Sequence, residues 1–383
     1  MSAFFTVFFL VYGGMHIYAF LKLRTAFAVG LHAVIPLALF MLVMVLAPVV
    51  IRLSEKDGHD LFARLFSYIG YTWMGALFLF CSFSLLTDFY RSLIFFAGLL
   101  LQADLSPLVL SGHHAVILSL GIALSVTFYG YFEARDIRTE RVIIKSPKIP
   151  KEVRSLRIAQ ISDVHIGLIA RQKRLGRILA EVKKSNPDIV VSTGDLVDGQ
   201  INGLTGLSEI LREITPRYGK VAITGNHEYY AGLDQALDFT ERAGFRILQG
   251  EGLTIEGLIN IAGVDDPASK FFGLSAGGSE RAVLEKLPRG RFTLLLKHRP
   301  LVEKSSTGLF DLQLSGHIHK GQIFPFSIVT WLYYPVNSGL LKLPWGGHLS
   351  VSRGAGTWGP PIRFLAPPEV TVIDLVHSDG ANG

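Results

Sequence analysis

Long apolar runs in the first third of this 383-residue chain constrain its fold more than any other feature. The four runs are Phe4–Leu21, Phe27–Ile51, Phe66–Thr87 and His114–Phe132. Each approaches or exceeds the ~20 residues that an α-helix needs to cross a hydrocarbon core about 30 Å thick. With 49% hydrophobic residues and a mean hydropathy of +0.39, the chain is too apolar for an ordinary soluble protein. We therefore predict a multi-span transmembrane helical domain over residues 1–133.

The number of spans depends on Ser92–Leu110, which is apolar but interrupted by Asp104 and Pro107. This segment forms either a fifth span or a re-entrant, interfacial piece, so the sequence predicts four or five helices. A cleaved signal peptide is an alternative for the first run only. That run lacks a basic leading segment and is followed by further spans, which argues against cleavage.

Charge divides the chain near residue 134. Residues 1–133 carry equal numbers of basic and acidic residues, so the remainder holds the whole net charge of +6. Basic residues crowd just after the last span: Arg135, Arg138, Arg141, Lys145, Lys148 and Lys151. We predict a basic juxtamembrane linker over residues 134–153, and the positive-inside rule then puts the C-terminal domain in the cytoplasm. The expected location is the bacterial inner membrane, with the lipid bilayer as partner.

From residue 156 onward, short runs of Val, Ile and Leu repeatedly end in Asp, Asn, His and Gly. The segments are LRIAQISDVH (156–165), DIVVSTGDLVDG (188–199), KVAITGNHE (220–228), FTLLLKHRP (292–300) and LQLSGHIH (312–319). Their apolar parts have the length and composition of buried strands. Amphipathic helical patterns at Leu175–Val182 and Leu204–Ile214 alternate with them, which predicts an α/β domain over residues 154–377. Residues 378–383 are expected to form a flexible tail.

Ligands bind beyond the carboxyl ends of the strands in α/β sheets, and all five polar clusters fall at such ends. The residues that can converge there are Asp163, His165, Asp195, Asn226, His227, His298, His317 and His319. Imidazole, carboxylate and amide groups suit divalent ions such as Mn, Fe or Zn. The single cysteine, Cys81, excludes a thiolate cluster and an internal disulfide. We predict two divalent metal ions, the arrangement that clamps attacking and leaving oxygens in phosphoryl displacement.

The order of these motifs is itself specific: D-x-H, GD, GNHE, an isolated His before Pro, and GH-x-H, each after a strand. This order resembles the calcineurin-like metallophosphoesterase superfamily. The segments SGHIHKGQIFP and VSRGAGTWGPPIRFLAPPEVTVIDL are further similar to its bacterial branch of membrane-anchored phosphodiesterases and UDP-2,3-diacylglucosamine pyrophosphatases. The resemblance spans about residues 154–376. It implies an α/β sandwich of two mixed sheets flanked by helices, and hydrolysis of a phosphodiester or pyrophosphate bond.

The resemblance also implies a role for each matched residue. Asp163, His165 and His319 would hold the first metal ion. Asn226, His298 and His317 would hold the second. Asp195 would bridge both ions, and water activated by the metals would be the nucleophile. His227 would protonate the leaving oxygen or stabilise the charge that develops there.

Several neighbouring residues have two interpretations. Lys320 stands where the family commonly has glycine, and it is either a cation near the substrate phosphate or a solvated loop lysine. Asp198 and Glu228 either accept hydrogen bonds that orient histidines or hold loops and helix N-termini. Arg299, next to His298, either contacts the substrate phosphate or points away from the site, as neighbouring residues on a strand end do. The apolar segment Phe324–Trp345 either faces the bilayer or an acyl chain, or packs in the core.

We therefore expect a membrane-anchored, metal-dependent phosphoesterase acting on a membrane-associated substrate, such as a UDP-diacylglucosamine-type glycolipid or a phospholipid. One alternative is a phosphodiesterase of soluble nucleotides. Another is a non-catalytic sensor or transporter with a regulatory metal-binding domain, although such a module has no chemical need for His227. Nucleic acid is not an expected partner, because the positive charge forms no dense stripe of arginine and aromatic residues.

Overall fold

The structure, a computed structural model, describes residues 2–28, 30–153, 155–199, 204, 206–274 and 278–379. The chain forms two compact units, of which the first is largely helical and contains Met1–Phe132 together with Gly359–Ile362. The second unit contains Glu133–Trp358 and the chain from Arg363 onward. The predicted domain limits stay predictions, and most of the predicted tail, 378–383, lies outside the described residues.

Four long helices correspond to the apolar runs. They are α1 (Ser2–Phe27), α2 (Leu31–Lys56), α3 (Asp60–Leu101) and α4 (Gly112–Glu133). Within the described part of the chain, these are the helices long and apolar enough to cross a membrane. Many of their large apolar side chains are exposed, which is expected of surfaces that face lipid.

The segment Ser92–Leu110 does not form a separate helix that could cross a membrane. Its first ten residues belong to α3, and a 3₁₀ turn follows at Ser106–Leu108. The 42 residues of α3 make a helix about 63 Å long, roughly twice the thickness of a hydrocarbon core. Four of the described helices could therefore cross a membrane by length and composition, and the number of spans stays a prediction.

Twelve strands lie in the described part of the second unit. They are β1 (Arg138–Ser146), β2 (Leu156–Ile161), β3 (Ile189–Ser192), β4 (Lys220–Ala222), β5 (Phe245–Ile247), β6 (Glu251–Ile255), β7 (Ile259–Gly263), β8 (Phe292–Leu296), β9 (Leu312–Ser315), β10 (Gly339–Lys342), β11 (His348–Val351) and β12 (Glu369–His377). They form two six-stranded sheets in the orders β1-β12-β2-β3-β4-β5 and β10-β11-β9-β8-β7-β6. Both sheets mix parallel and antiparallel pairs. All five strands predicted from the sequence are present.

Helices cover the outer faces of the two sheets. They are α5 (Gln172–Ser185), α6 (Leu207–Arg212), α7 (Asn226–Ala231), α8 (Leu233–Arg242) and α9 (Glu280–Glu285), whereas α10 (Phe326–Tyr333) has no buried residue. Residues from both sheets, such as Ile158 and Leu314, share one buried cluster between the sheets. Ile178 of α5 and Phe239 of α8 belong to a second cluster on the outer face of the first sheet. The predicted α/β sandwich of two mixed sheets is confirmed.

Strand β1 lies within the segment that was predicted to be a basic linker. It pairs in parallel with β12 and forms one edge of the first sheet. Ile144 is buried, whereas Arg141 and Lys145 on either side of the apolar residues are exposed. The apolar residues of β1 are few and lie between positively charged residues. The basic composition therefore dominated the sequence pattern and indicated a linker rather than a strand.

Candidate metal centre

Five strand ends bring the predicted site residues together. Asp163 and His165 follow β2, Asp195 follows β3, Asn226 and His227 begin α7 after β4, His298 follows β8, and His317 and His319 follow β9. All are buried except His317, which is partly buried. The cluster therefore lies at the carboxyl ends of strands from both sheets, where ligands of α/β sheets usually bind.

Asp163, His165 and His319 form a first group, whose ligand atoms all lie within 4.8 Å of one another. His319 Nε2 is 3.0 Å from His165 Nε2 and 3.5 Å from Asp163 Oδ1. Burial lowers the pKa of His165 to about 4 and holds the pKa of His319 well below its ordinary value. Both rings are neutral near pH 7, and the neutral imidazole is the form that binds a metal ion.

Asp195, His298 and His317 form a second group with the same spacing limit of 4.8 Å. His298 Nε2 is 3.2 Å from Asp195 Oδ2 and 3.2 Å from His317 Nδ1. The Nδ1–H of His298 donates to the Thr193 carbonyl oxygen at 2.8 Å, which leaves Nε2 directed into the group. Asp195 Oδ2 also lies 3.9 Å from His165 Nε2, so the Asp195 carboxylate is shared between the two groups.

Buried polar atoms without hydrogen-bond partners also indicate that the two groups bind divalent cations, independently of the spacing of the ligands. Asn226 Oδ1 and His165 Nδ1 are buried, and neither has a hydrogen-bond partner among the described residues. Leaving such an atom unsatisfied costs about 1–3 kcal/mol. A bound cation would satisfy the amide oxygen of Asn226, and the set of imidazole, carboxylate and amide groups suits Mn, Fe or Zn. The assignment of each ligand to an ion stays a prediction.

The site residues share an uncommon backbone conformation. Positive φ angles occur at Asp163 (52°), His165 (51°), Asp195 (51°), His317 (77°) and His319 (48°). The left-handed region costs a residue with a Cβ roughly 1–2 kcal/mol. Such strain persists only where the surrounding structure fixes it, and it is typical of functional sites. Lys320 shares this conformation with φ 51°, and its role stays a prediction.

Two motif glycines allow the loops to approach one another. A Cβ at Gly225 would collide with the Asp195 carboxylate and would lie 2.8 Å from the His298 ring. A Cβ at Gly316 would collide with Ser162 and Asp163. The glycines of GNHE and SGHIH are therefore required by close packing at the site.

His227 lies beside the first group, with its ring 4.6 Å from the His165 ring. Its Nδ1–H donates to Asp198 Oδ1 at 2.8 Å, and its backbone N–H donates to Asp195 Oδ1 at 2.8 Å. Burial opposes a positive charge here, but the carboxylates of Asp195 and Asp198 outweigh it and raise the pKa of His227 to about 9. His227 also lies within 4.8 Å of His165 and Asp195, and its role as a proton donor rather than a metal ligand stays a prediction.

The structure distinguishes the two open interpretations of Glu228 and Asp198. Asp198 orients a histidine, because it accepts the hydrogen bond of His227. Glu228 holds loops: its carboxylate accepts from the backbone N–H groups of Gly225 at 2.7 Å, Asp195 at 3.0 Å and Leu196 at 2.7 Å. The single side chain of Glu228 therefore ties the loop after β3 to the start of α7.

Arg363 is a site neighbour that the sequence did not identify. It is fully buried, its guanidinium donates to the His319 carbonyl oxygen at 3.1 Å, and its Nη2 lies 2.9 Å from His319 Nδ1. It also donates to the carbonyl oxygens of Arg353 and Gly356. Arg299 pairs with Asp266 through two hydrogen bonds of 2.8 and 2.9 Å, and whether it contacts the substrate phosphate stays a prediction. No short spacing links Arg363 to His319, so only the folded chain shows the contact.

Aromatic rings flank His227 on the exposed side of the site. The Tyr230 ring lies 5.4 Å and the Trp358 ring 6.1 Å from the His227 ring. Both are about half exposed. The Gln322 amide fixes the backbone of Trp358 by donating to its carbonyl oxygen and accepting from its N–H, each at 2.9 Å. Neither ring was predicted, because isolated aromatic residues carry no positional signal in a sequence.

Comparison with known proteins agrees with this geometry. The family model described as calcineurin-like phosphoesterase matches residues 156–321. An uncharacterized metallophosphoesterase of Aquifex aeolicus is 38% identical over 256 residues, which cover 66% of this chain and 97% of that protein. The uncharacterized metallophosphoesterase YkuE of Bacillus subtilis is 33% identical over 261 residues, covering 64% and 87%. A transmembrane protein with metallophosphoesterase domain from Danio rerio is 31% identical over 274 residues, covering 68% and 62%.

Proposed function

Because the chain belongs to the calcineurin-like metallophosphoesterase family, we propose that it hydrolyses a phosphodiester or pyrophosphate bond with two divalent metal ions, such as Mn. The shared position of the Asp195 carboxylate, within 4 Å of a histidine of each group, is the observation that carries the proposal. A carboxylate in this position can bridge two cations. The proposed ligands are Asp163, His165 and His319 for one ion. Those for the other are Asn226, His298 and His317.

The metal ions, when bound, would stabilise charge on the phosphoryl oxygens and lower the pKa of water. The chain supplies the proton and its orientation. Asp198 holds Nδ1–H of His227, so that the Nε2–H of the same ring remains for the leaving oxygen. Because the pKa of His227 is raised to about 9, the ring carries that proton at neutral pH. The hydrogen-bonded pair of Asp198 and His227 supports a catalytic metal site rather than a purely regulatory one.

The proposed substrate is lipid-linked or membrane-proximal, such as a UDP-diacylglucosamine-type glycolipid or a phospholipid. The four candidate spans support it, because an anchored hydrolase meets substrates of its own bilayer first. The proposed location is the bacterial inner membrane, with the second unit in the cytoplasm. The basic residues that follow α4 support this orientation.

A soluble nucleotide is the second candidate substrate. The half-exposed rings of Tyr230 and Trp358 beside His227 favour it, because aromatic side chains stack on nucleobases. In this case the membrane helices would serve only for location.

The test uses the full chain purified in detergent and supplied with Mn. Hydrolysis of a generic phosphodiester, a UDP-linked diacyl glycolipid and a soluble dinucleotide is compared for the native protein, Asp195→Ala and Asp238→Ala. Asp238 is a surface carboxylate that pairs with Arg242 at 2.9 Å, so its variant is the matched control. We expect the glycolipid to be the fastest substrate, Asp195→Ala to lose hydrolysis and Asp238→Ala to retain it.

Each outcome has a defined meaning. Absence of hydrolysis of any ester by the native protein would contradict the enzymatic proposal. Equal activity in Asp195→Ala would contradict the proposed site. Faster turnover of the dinucleotide than of the glycolipid would favour the second candidate.

A further inference from the structure

The helix α10 is uncharged and mostly apolar, and none of its eight residues is buried. Its sequence, FSIVTWLY, contains no charged residue. Ile328, Trp331 and Leu332 are 52%, 54% and 70% exposed. A contiguous exposed apolar patch of this kind marks an interaction surface on a protein. Of the two interpretations of Phe324–Trp345, core packing therefore does not hold for α10.

Both ends of α10 are attached to the loop that carries the metal ligands. At its first turn, Gly321 approaches Ser327 so closely that a Cβ on Gly321 would collide with the Ser327 backbone. Just beyond its last turn, the Tyr334 ring lies 5.8 Å from the His317 ring. Gly321 follows His319 by only two residues. Whatever covers α10 is therefore held next to the candidate metal centre.

We propose that α10 lies in the interfacial layer of a lipid bilayer and presents the metal centre to phosphoesters carried by lipids. Helices that bind in this way place aliphatic side chains at the boundary of the acyl chains. Tryptophan and tyrosine, here Trp331 and Tyr333, are enriched at the level of the headgroups. The inference rests on the proposed function only where it names lipid-borne phosphoesters as the substrate class.

A short connection joins the second unit to a candidate membrane span. The helix α4 ends at Glu133 and β1 begins at Arg138. Four residues, 134–137, separate them, so the five steps from Glu133 to Arg138 span at most about 18 Å and β1 begins within that distance of the end of a candidate membrane span. The chain beyond residue 133 carries the whole net charge of +6, which is complementary to anionic lipids. A bilayer is thus the occupant for which the chain provides both proximity and charge.

The test measures lipid contact without requiring turnover. Cys81, the only cysteine of the chain, is first replaced by serine. The variants Ile328→Cys and Leu332→Cys, four residues apart on one helical face, are each labelled with an environment-sensitive fluorophore. Lys286→Cys, at an exposed position just after α9, is the matched control. The full chain is reconstituted in nanodiscs of phosphatidylcholine and phosphatidylglycerol, with and without lipids that carry a nitroxide quencher.

We expect emission from labels 328 and 332 to shift to shorter wavelength and to be lost with nitroxide lipids, whereas label 286 is unaffected. Labels at 328 and 332 that respond only to an aqueous quencher would overturn the proposal. A shift to shorter wavelength without quenching by lipid would also overturn it, because protein, such as a second copy of the chain, would then cover α10. Failure of hydrolysis would contradict the proposed function alone, since the quenching signal does not depend on it.

Discussion

Single residues at the candidate metal centre are held in positions that the isolated chain would not favour. The left-handed backbone of Asp163, Asp195 and His319 is strained for residues with a Cβ. Gly225 leaves no space between the Asp195 carboxylate and the His298 ring. The geometry of the ligands therefore depends on close packing of loops. Even one added methyl group should displace the ligand side chains.

Gly225→Ala tests this dependence on packing. The added methyl group must displace Asp195 or His298, so we expect a loss of bound metal together with a destabilisation of about 1–3 kcal/mol. Gly176→Ala is the matched control, because Gly176 lies in α5 and has open space around its Cα. The control should be neutral or stabilising. Metal content and thermal unfolding are measured for both variants, and full metal retention in Gly225→Ala would refute the packing argument.

His227→Ala tests proton donation to the leaving group. General acid catalysis contributes about 10²–10⁴-fold, so kcat on an alkyl phosphodiester should fall by that factor. A p-nitrophenyl ester, whose leaving group departs without protonation, should lose far less. Metal content should remain at the native level, because the His227 ring donates to Asp198 and is not among the proposed ligands. An equal loss of kcat on both esters would argue that His227 has another role.

At the scale of elements, the strands position the site and one arginine joins the last loops to it. Arg363 donates to the His319 carbonyl oxygen, and it also donates to carbonyl oxygens of Arg353 and Gly356, which lie between β11 and β12. The contacts that hold the loop after β11 thus include the hydrogen bonds between Gln322 and Trp358 and those of the Arg363 guanidinium. Its planar set of donors is what allows so many acceptors to be satisfied together.

Arg363→Lys is expected to lower both metal affinity and stability. A lysine has three donors on a flexible stem and leaves buried carbonyl oxygens unsatisfied, at about 1–3 kcal/mol for each. Arg242→Lys, at an exposed position on α8, is the matched control and should behave like the native protein. Titration with Mn and thermal unfolding provide the measurements. A native metal affinity in Arg363→Lys would show that the contact with His319 does not position the ligand.

The sequence predicted the elements whose signal is local. Each of the five predicted strands is a short apolar run that ends in polar residues, and the geometry of sheets brings those ends together. β1 was missed because Arg141 and Lys145 flank its apolar residues. The environment of α10 was left open because apolar composition alone does not distinguish a core helix from one that binds a bilayer. The contact between Arg363 and His319 depends on tertiary structure and has no counterpart in sequence spacing.

At the scale of the whole molecule, folding of the second unit and metal binding should be linked. The buried carboxylates of Asp163 and Asp195 approach histidines from four separate strand ends. A ligand that binds only the folded state stabilises it by about 2.7 kcal/mol at a concentration of 100 Kd. Cations at this site would therefore hold the two sheets together as well as serve the reaction.

Removal of metal should lower the unfolding temperature of the second unit. EDTA treatment of the native protein, followed by thermal unfolding with and without added Mn, measures the effect. We expect the unfolding temperature to fall with EDTA and to recover with Mn. Asp195→Ala should respond much less to either addition, because the shared carboxylate is gone. If EDTA left the unfolding temperature of the native protein unchanged, folding of the second unit would not be linked to metal binding.

The measurement that tests the central claim most directly is the number of metal ions bound per chain. After equilibration with Mn and removal of free metal, elemental analysis of the native protein should give a ratio close to two. Asp195→Ala, with native secondary structure by circular dichroism, should bind clearly less, because Asp195 is shared between both groups. A native protein without bound metal, or an Asp195→Ala variant with the native ratio, would contradict the proposed dinuclear centre.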